Sequence, residues 1–402
     1  MKILWIGCVE SEEEFESKSR KGYNLASAQK SQVNIIRGIE DVTGLVIDSL
    51  NGSVLPPYPV YADKRILPNS WSHKVGAYDI SVGYDNLKYL NRVNCKNSMV
   101  KAARNWVKER YQGDELVIFV YSMRSASMAT ACKIKKLVPK SKLYLIITDL
   151  PEFMDLGQNK VKTLLKKIDW LQIKKMQVQF DGFILYASKM SEYLCISKDK
   201  WILMEGSYDT AELPTISAKA SKKKVIMYSG MIEKKYGINL LVDAFQNINN
   251  PNIELWITGG GNDVSYVEVA TKKDKRIKFF GFLPSRNDVL AKQQEATVLI
   301  NMRLPSEKAS AYCFPSKLFE YMASGKPVLS FKLEGIPKEY EQYLITIENE
   351  SVEGIVQGIY KALALSDEQI LQLGKNGREF IVVNKNYITQ CRRICSWINI
   401  IS

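Results

Sequence analysis

Glu320, Lys317 and Ser316 lie together in the stretch Phe314-Pro-Ser-Lys-Leu-Phe-Glu-Tyr-Met-Ala-Ser-Gly-Lys-Pro-Val328. A carboxylate can accept from two vicinal hydroxyls, such as those of a ribose, and an ammonium can meet a phosphate. The surrounding pattern says where these groups stand. Residues 296–302 form an apolar run with the length of a buried strand. Pro315 and Ser316 read as a helix start with Ser316 as the cap, and Gly325 and Pro327 as its stop. Residues 328–331 are a second short apolar run. Strand, loop, helix and strand make a βαβ unit with parallel strands and a right-handed crossover. Such sheets bind ligands outside the carboxyl ends of their strands. The loop 303–315 and the first helical turn therefore fall at a ligand edge. A first-turn carboxylate is also favoured by the helix dipole whatever it binds. The residues alone leave two readings open. Either this is a ligand-binding helix, or Leu318, Phe319, Met322 and Val328 are core and Glu320 is simply a well-placed acid.

Other residues of chemical interest are spread along the chain. Asp149, in Thr148-Asp-Leu-Pro151, ends an expected strand. Its carboxylate could orient a hydroxyl or take its proton, or it could start the turn before Pro151. Glu152 is a second candidate for the same work. Gly259-Gly-Gly261 closes another expected strand and allows close backbone approach to a ligand, with Gly260 at its centre. Lys234 and Lys235 precede a helix in Gly230-Met-Ile-Glu-Lys-Lys-Tyr-Gly237, where they are either solvated or phosphate-binding. The single histidine, His73, sits between polar stretches and reads as a loop residue. Seven cysteines at 8, 95, 132, 195, 313, 391 and 395 show no Cys-x-x-Cys spacing. A reduced, cytoplasmic compartment follows. Cys391 and Cys395 lack partner ligands, so no metal site is expected.

The elements that must position these groups form two α/β runs. A chain of 402 residues suits two domains, here 1–212 and 213–386, with a polar, lysine-ended linker at 210–223 and a last helix at 387–400. In the first run, strands are expected at 3–7, 44–48, 79–83, 115–121, 142–148, 182–186 and 201–204. Helices are expected at 26–39, 97–111 and 125–138. The acidic residues after Cys8 read as a loop, as does the proline-rich stretch 51–74. In the second run, strands are expected at 225–229, 253–258, 278–280, 296–302, 328–331 and 345–347. Helices are expected at 238–248, 287–294, 351–365 and 367–380.

The net charge of +13 and pI near 9.1 point to polyanionic partners. No nucleic-acid-binding motif accompanies the charge, so phosphate and membrane are favoured over nucleic acid. Within 159–180, Val161, Leu164, Leu165, Ile168 and Leu171 follow helical spacing among lysines. Such a helix either lies on an anionic leaflet or packs on its own domain with a solvated lysine face. No apolar run reaches the roughly 18 residues of a membrane span. A cytoplasmic protein, peripheral on the inner face of a membrane at most, is the expectation.

The stretch 314–328 resembles the donor-nucleotide helix of retaining glycosyltransferases with the GT-B fold, of the group 1 and family 4-like kind found in bacterial surface-polysaccharide assembly. Their pattern has two glutamates eight positions apart, followed by Ala, Gly and Pro-Val. Glu320, Ala323, Gly325, Pro327 and Val328 match, and Tyr312 stands where the first glutamate would be. The resemblance is also visible over 225–283 and is architectural before 190. It implies two doubly wound Rossmann-like domains facing across a cleft, with the last helix crossing back onto the first. The second domain would hold a nucleotide-diphosphate sugar, with a UDP-sugar favoured. Glu320 would hold the ribose, with Ser316 and Tyr312 beside it. Gly230, Lys234, Lys235, Gly260 and Lys317 would meet the diphosphate. The turn carrying Phe282 and Leu283 would flank the base. Met231 stands where such enzymes usually place a diphosphate arginine. Asn24, Ser27 and Gln29 would line the acceptor side, with Asp149 as the acceptor carboxylate. The reaction implied is retaining transfer of a hexosyl group to a saccharide or a polyprenyl-diphosphate-linked acceptor, without a metal or other cofactor. The departures at Tyr312 and Met231 keep a catalytically inactive partner protein as an alternative, and a nucleotide-sugar epimerase is another.

Overall fold

Short apolar runs flanked by helices build two separate, mostly parallel sheets, one in each of two units. The computed structural model describes residues 1–21, 23, 25–153, 160–216 and 223–401. The first unit comprises Met1–Tyr186, Met190–Met204 and Gln390–Ser402, and the second Ala187–Lys189 and Glu205–Thr389.

The first half of the chain runs β1 (Lys2–Gly7), α1 (Glu12–Arg20), α2 (Ala26–Thr43), β2 (Ile47–Asn51), β3 (Arg65–Ile66), β4 (Asn69–Trp71), β5 (Asp79–Ser81), β6 (Tyr84–Asp85) and α3 (Asn91–Arg110). It continues with β7 (Leu116–Tyr121), α4 (Ser125–Leu137), β8 (Lys142–Ile147), α5 (Lys160–Gln177), β9 (Gly182–Leu185), α6 (Lys189–Tyr193) and β10 (Trp201–Leu203). The sheet order is β10-β9-β8-β7-β1-β2-β5-β4. Every neighbouring pair is parallel except β4 with β5. Central β1 has Ile3, Leu4, Trp5 and Ile6 fully buried, as a strand covered on both faces requires.

The acidic stretch after Cys8 is helical from Glu12, not a loop. Ser11 caps α1 by accepting from the Glu14 amide, and Glu12, Glu13 and Glu14 fill the first turn, where the dipole favours acids. Buried Lys18 fixes the helix by donating to Glu10 (2.5 Å), Glu14 (2.6 Å) and Ser53 (2.6 Å).

The second unit runs β11 (Lys224–Met231), α7 (Ile238–Gln246), β12 (Ile253–Gly260), α8 (Val264–Lys273), β13 (Ile277–Phe279), α9 (Arg286–Glu295), β14 (Val298–Asn301) and α10 (Lys317–Ala323). Then come β15 (Val328–Phe331), β16 (Leu344–Ile347), α11 (Val352–Leu363) and α12 (Asp367–Asn384), and the last helix of the chain is α13 (Tyr387–Trp397). The order β13-β12-β11-β14-β15-β16 is parallel throughout. β14 and β15 are neighbours joined through α10, as the βαβ reading requires. Helix α8 has no counterpart among the sequence expectations.

The chain enters the second unit at Glu205, earlier than residue 213. Tyr208 belongs to that unit's core, and its amide donates to the Lys385 carbonyl (2.9 Å). Arg378 holds Pro214 by its carbonyl (3.0 Å), so part of the expected linker is packed structure. Buried Lys385 donates to Glu205 (2.8 Å) and Glu339 (2.7 Å), pinning the start of this unit to its end. From Gln390 the last helix belongs to the first unit. Buried Cys391 donates to the Ile35 carbonyl of α2, and Trp397 packs against Tyr144 of β8.

Candidate active site

In the second sheet β11 lies centrally, with β12 on one side and β14 on the other. The carboxyl ends of β11 and β14 therefore form a topological switch point, the place where open α/β sheets leave a crevice. Ser229 and Gly230 end one side of it. The loop after β14 and the start of α10 form the other.

The sequence shapes α10 so that two readings of it hold together. Leu318, Phe319, Tyr321, Met322 and Ala323 are buried, which anchors the helix in the core. Ser316 and Lys317 remain exposed and Glu320 half-buried at the ligand edge. Ser316 does not cap by its side chain. It already has helical dihedrals (φ −54°, ψ −27°), and the turn opens instead with the Leu318 amide donating to the Pro315 carbonyl (2.8 Å).

Glu320 is held by residues far away in sequence. Gln293 of α9 donates to its Oε1 (2.8 Å) and also to the Ser229 hydroxyl (3.1 Å). Arg286, at the start of α9, lies 3.6 Å from Glu320 Oε2 and pairs with Glu212 at 2.6 Å. Tyr321 closes the network from below: its hydroxyl donates to the Ser229 carbonyl (3.0 Å) and accepts from the Ser229 amide (2.9 Å). A carboxylate offers about four lone-pair sites, so Gln293 orients Glu320 without saturating it.

Lys317 reaches the same strand end and donates to the Ser229 carbonyl. The residue as a whole is exposed, but its ammonium end is crowded: a Cβ on Gly230 would stand 3.2 Å from its Nζ. Desolvation of the ammonium holds the Lys317 pKa below the ordinary lysine value, with the nearby Glu320 pulling it back up.

The glycines of this edge are required by close approach. Gly259 has φ +133°, and a Cβ there would meet the Gly230 carbonyl oxygen at 1.9 Å. Gly260 lies under the exposed ring of Phe282, and Leu283 beside it is half-buried. The carbonyl of Gly281, one residue before Phe282, accepts from the Gly259 amide (2.9 Å) and the Thr258 hydroxyl (2.7 Å). The expected base-flanking turn is thereby tied to the glycine triplet.

Lys234 and Lys235 lie in a 3-10 turn before α7. The Lys234 amide donates to Asp263 (2.6 Å), and the Lys235 ammonium pairs with Glu233 (3.0 Å). Tyr312 ends a 3-10 turn in the loop after β14 and is half-buried. Gly335 supports this loop, since a Cβ there would meet the Ser310 and Cys313 carbonyls at 2.5 and 2.4 Å.

In the first unit Asp149 is exposed just after β8, at the carboxyl edge of the sheet. Burial raises the pKa values of Tyr121 and Tyr186 foremost, and the charge of Asp149 adds to both. Glu152 stands in a 3-10 turn that follows. Ser27 is exposed in the first turn of α2. Gln29 is tied down: its amide accepts from the Glu10 amide (3.1 Å) and donates to the Glu10 carbonyl (2.7 Å). It fixes the loop after β1 rather than presenting both ends to a ligand. Asn24 lies outside the described residues. Sequence reasoning missed Gln293, Arg286, Ser229 and Tyr321, whose roles depend on pairings across elements, and Arg124, which donates to the Gly52 carbonyl (3.2 Å) at the carboxyl edge of the first sheet.

Residues 209–380, within the second unit, match the family model for Glycosyl transferases group 1. A comparison with curated proteins found no match. Among solved structures the chain is similar to a sucrose-phosphate synthase from Thermosynechococcus elongatus at 16% identity and TM-score 0.69, over 99% of this chain and 98% of that one. It is similar to the lipopolysaccharide outer core galactosyltransferase WaaB in its apo form (14% identity, TM-score 0.65, 99% of each chain). It is also similar to Anabaena HepE in complex with UDP (12% identity, TM-score 0.66, 100% of each chain). Residues 209–380 of the second unit thus carry a glycosyl transferases group 1 domain, and the chain has the GT-B fold.

Proposed function

We propose that the chain moves a hexosyl group, with retention at the anomeric carbon, from a UDP-sugar to a hydroxyl of a glycan or a polyprenyl-diphosphate-linked saccharide. The product on this reading is a polysaccharide of the capsule or exopolysaccharide kind. The observation that carries it is the juxtaposition of Glu320, oriented by Gln293, with the Lys317 ammonium at the β11–β14 switch point. The UDP held by the structurally similar HepE supports the choice of base.

In this reading Glu320 accepts from the ribose hydroxyls. Lys317 keeps two donors for the diphosphate after its bond to Ser229. Lys235 swings from the half-buried Glu233 to join it, leaving that carboxylate beside the Asn262 amide at 3.5 Å. The acceptor oxygen bonds to the anomeric carbon as the bond to the diphosphate oxygen breaks on the same face. The acceptor proton passes to that departing oxygen. The protein supplies position and positive charge, and Asp149 orients the acceptor hydroxyl.

The test is a transfer assay with UDP-sugars and lipid-diphosphate acceptors, in chelator, with the anomeric configuration of the product read by NMR. Retained configuration and chelator-resistant turnover are expected. An inverted product, or activity restored only by a divalent metal, contradicts the account. A second reading, an inactive partner of another transferase, is motivated by Met231 at the arginine position and by the Glu233–Lys235 pair. It predicts nucleotide binding without turnover under every condition.

A further inference from the structure

We propose that one face of α5 docks on the surface of an anionic phospholipid bilayer. The helix is anchored to its own unit by Ile173, which is 1% exposed. Its opposite face carries Leu164, Ile168 and Leu171, one helical turn apart, and these are 59%, 44% and 60% exposed. A stripe at that spacing normally marks the buried side of a surface helix. Here it faces solvent, so packing against the described residues does not account for it.

The charges around the stripe select the occupant. Lys167, Lys174 and Lys175 are exposed beside it. The one acid of the helix, Asp169, is turned toward Arg92 of α3 at 3.8 Å. The start of α3 lies alongside, where Lys96 donates to Gln172, and it adds exposed Leu90 and Val93 with Lys88 and Arg92. Apolar side chains ringed by cations match a leaflet whose acyl region takes the leucines and whose anionic headgroups meet the lysines. A second copy of the chain would bring six lysines and one aspartate against the same set, a like-charge contact that disfavours self-pairing. Nucleic acid would leave the apolar centre unmatched.

The experiment is flotation of the full chain with phosphatidylcholine vesicles, with and without phosphatidylglycerol. Two variants are compared, Leu164→Gln/Ile168→Gln/Leu171→Gln and Lys167→Gln/Lys174→Gln/Lys175→Gln. All six positions are solvent-facing, so both variants retain the fold, which circular dichroism checks. The wild type is expected to float only with anionic vesicles and to be released by salt. Each variant is expected to bind at least about tenfold more weakly. Absence of flotation by the wild type, or unchanged flotation by both variants, overturns the proposal. So does concentration-dependent dimerisation that the leucine variant abolishes, which assigns the face to a second copy. The assay contains no sugar donor, so its failure is distinguishable from failure of the transfer reading.

Discussion

Glu320 is oriented by an amide from another helix, and that amide also holds the hydroxyl of the strand from which Lys317 takes its carbonyl. Carboxylate and ammonium are thus positioned by one shared network rather than by α10 alone. His73 shows the same dependence on distant residues. The sequence suggests a loop histidine, but its Nδ1 lies 2.7 Å from Asp79 and its Nε2 3.2 Å from Glu40. Burial lowers the affinity of the ring for its second proton, yet the two carboxylates prevail and hold the pKa up at about 9. A pKa raised by folding adds stability that is full below the unfolded value near 6.5 and is lost as the pH climbs through about 9. Urea unfolding of the wild type and His73→Gln should show the wild type ahead by roughly 2–3 kcal/mol at mildly acid pH, with the gap closing in alkali. Parallel pH profiles for the two proteins would contradict this.

At the scale of elements, α1 illustrates what local pattern conceals. A run of glutamates looks like a solvated loop, and the buried Lys18 turns two of its acids, Glu10 and Glu14, into partners. Lys18→Ala should cost about 3 kcal/mol, because it strands Glu10 in the interior. Thermal unfolding checks this, and a change near zero would mean that the cluster is more hydrated than its 5–8% exposure implies. The long parallel strands were legible because they read as unbroken apolar runs, whereas short β3 and β4 lie in the stretch 51–74 read as a loop and β2 begins three residues later than expected. The strand–helix–strand order from β14 to β15 was legible, since Pro315, Gly325 and Pro327 punctuate it, but the expected Ser316 side-chain cap is absent. Helix α8 was not, because Val264, Val267, Val269 and Thr271 are β-branched and favour strands, and its C-terminal end carries no strong stop. For α5 the periodicity was legible but its direction was not, since an outward apolar stripe and an inward one share the same spacing.

At the scale of the whole molecule, two α/β units and the family of the second could be read from sequence because the motif residues cluster in one βαβ segment. The site was only half readable. Glu320, Lys317 and the glycine triplet come together at one sheet edge, whereas Gln293, Ser229 and Arg286 enter through pairings 27 to 92 positions apart. The departures at Tyr312 and Met231 make donor binding the claim on which everything else rests. The most direct test is calorimetric titration of the wild type and Glu320→Ala with UDP, GDP and ADP, without metal. The account predicts selective binding of UDP by the wild type, weakened at least about tenfold in the variant, as loss of a charge-assisted hydrogen-bond acceptor implies. Binding of no nucleotide, or equal UDP affinity in both proteins, would contradict it.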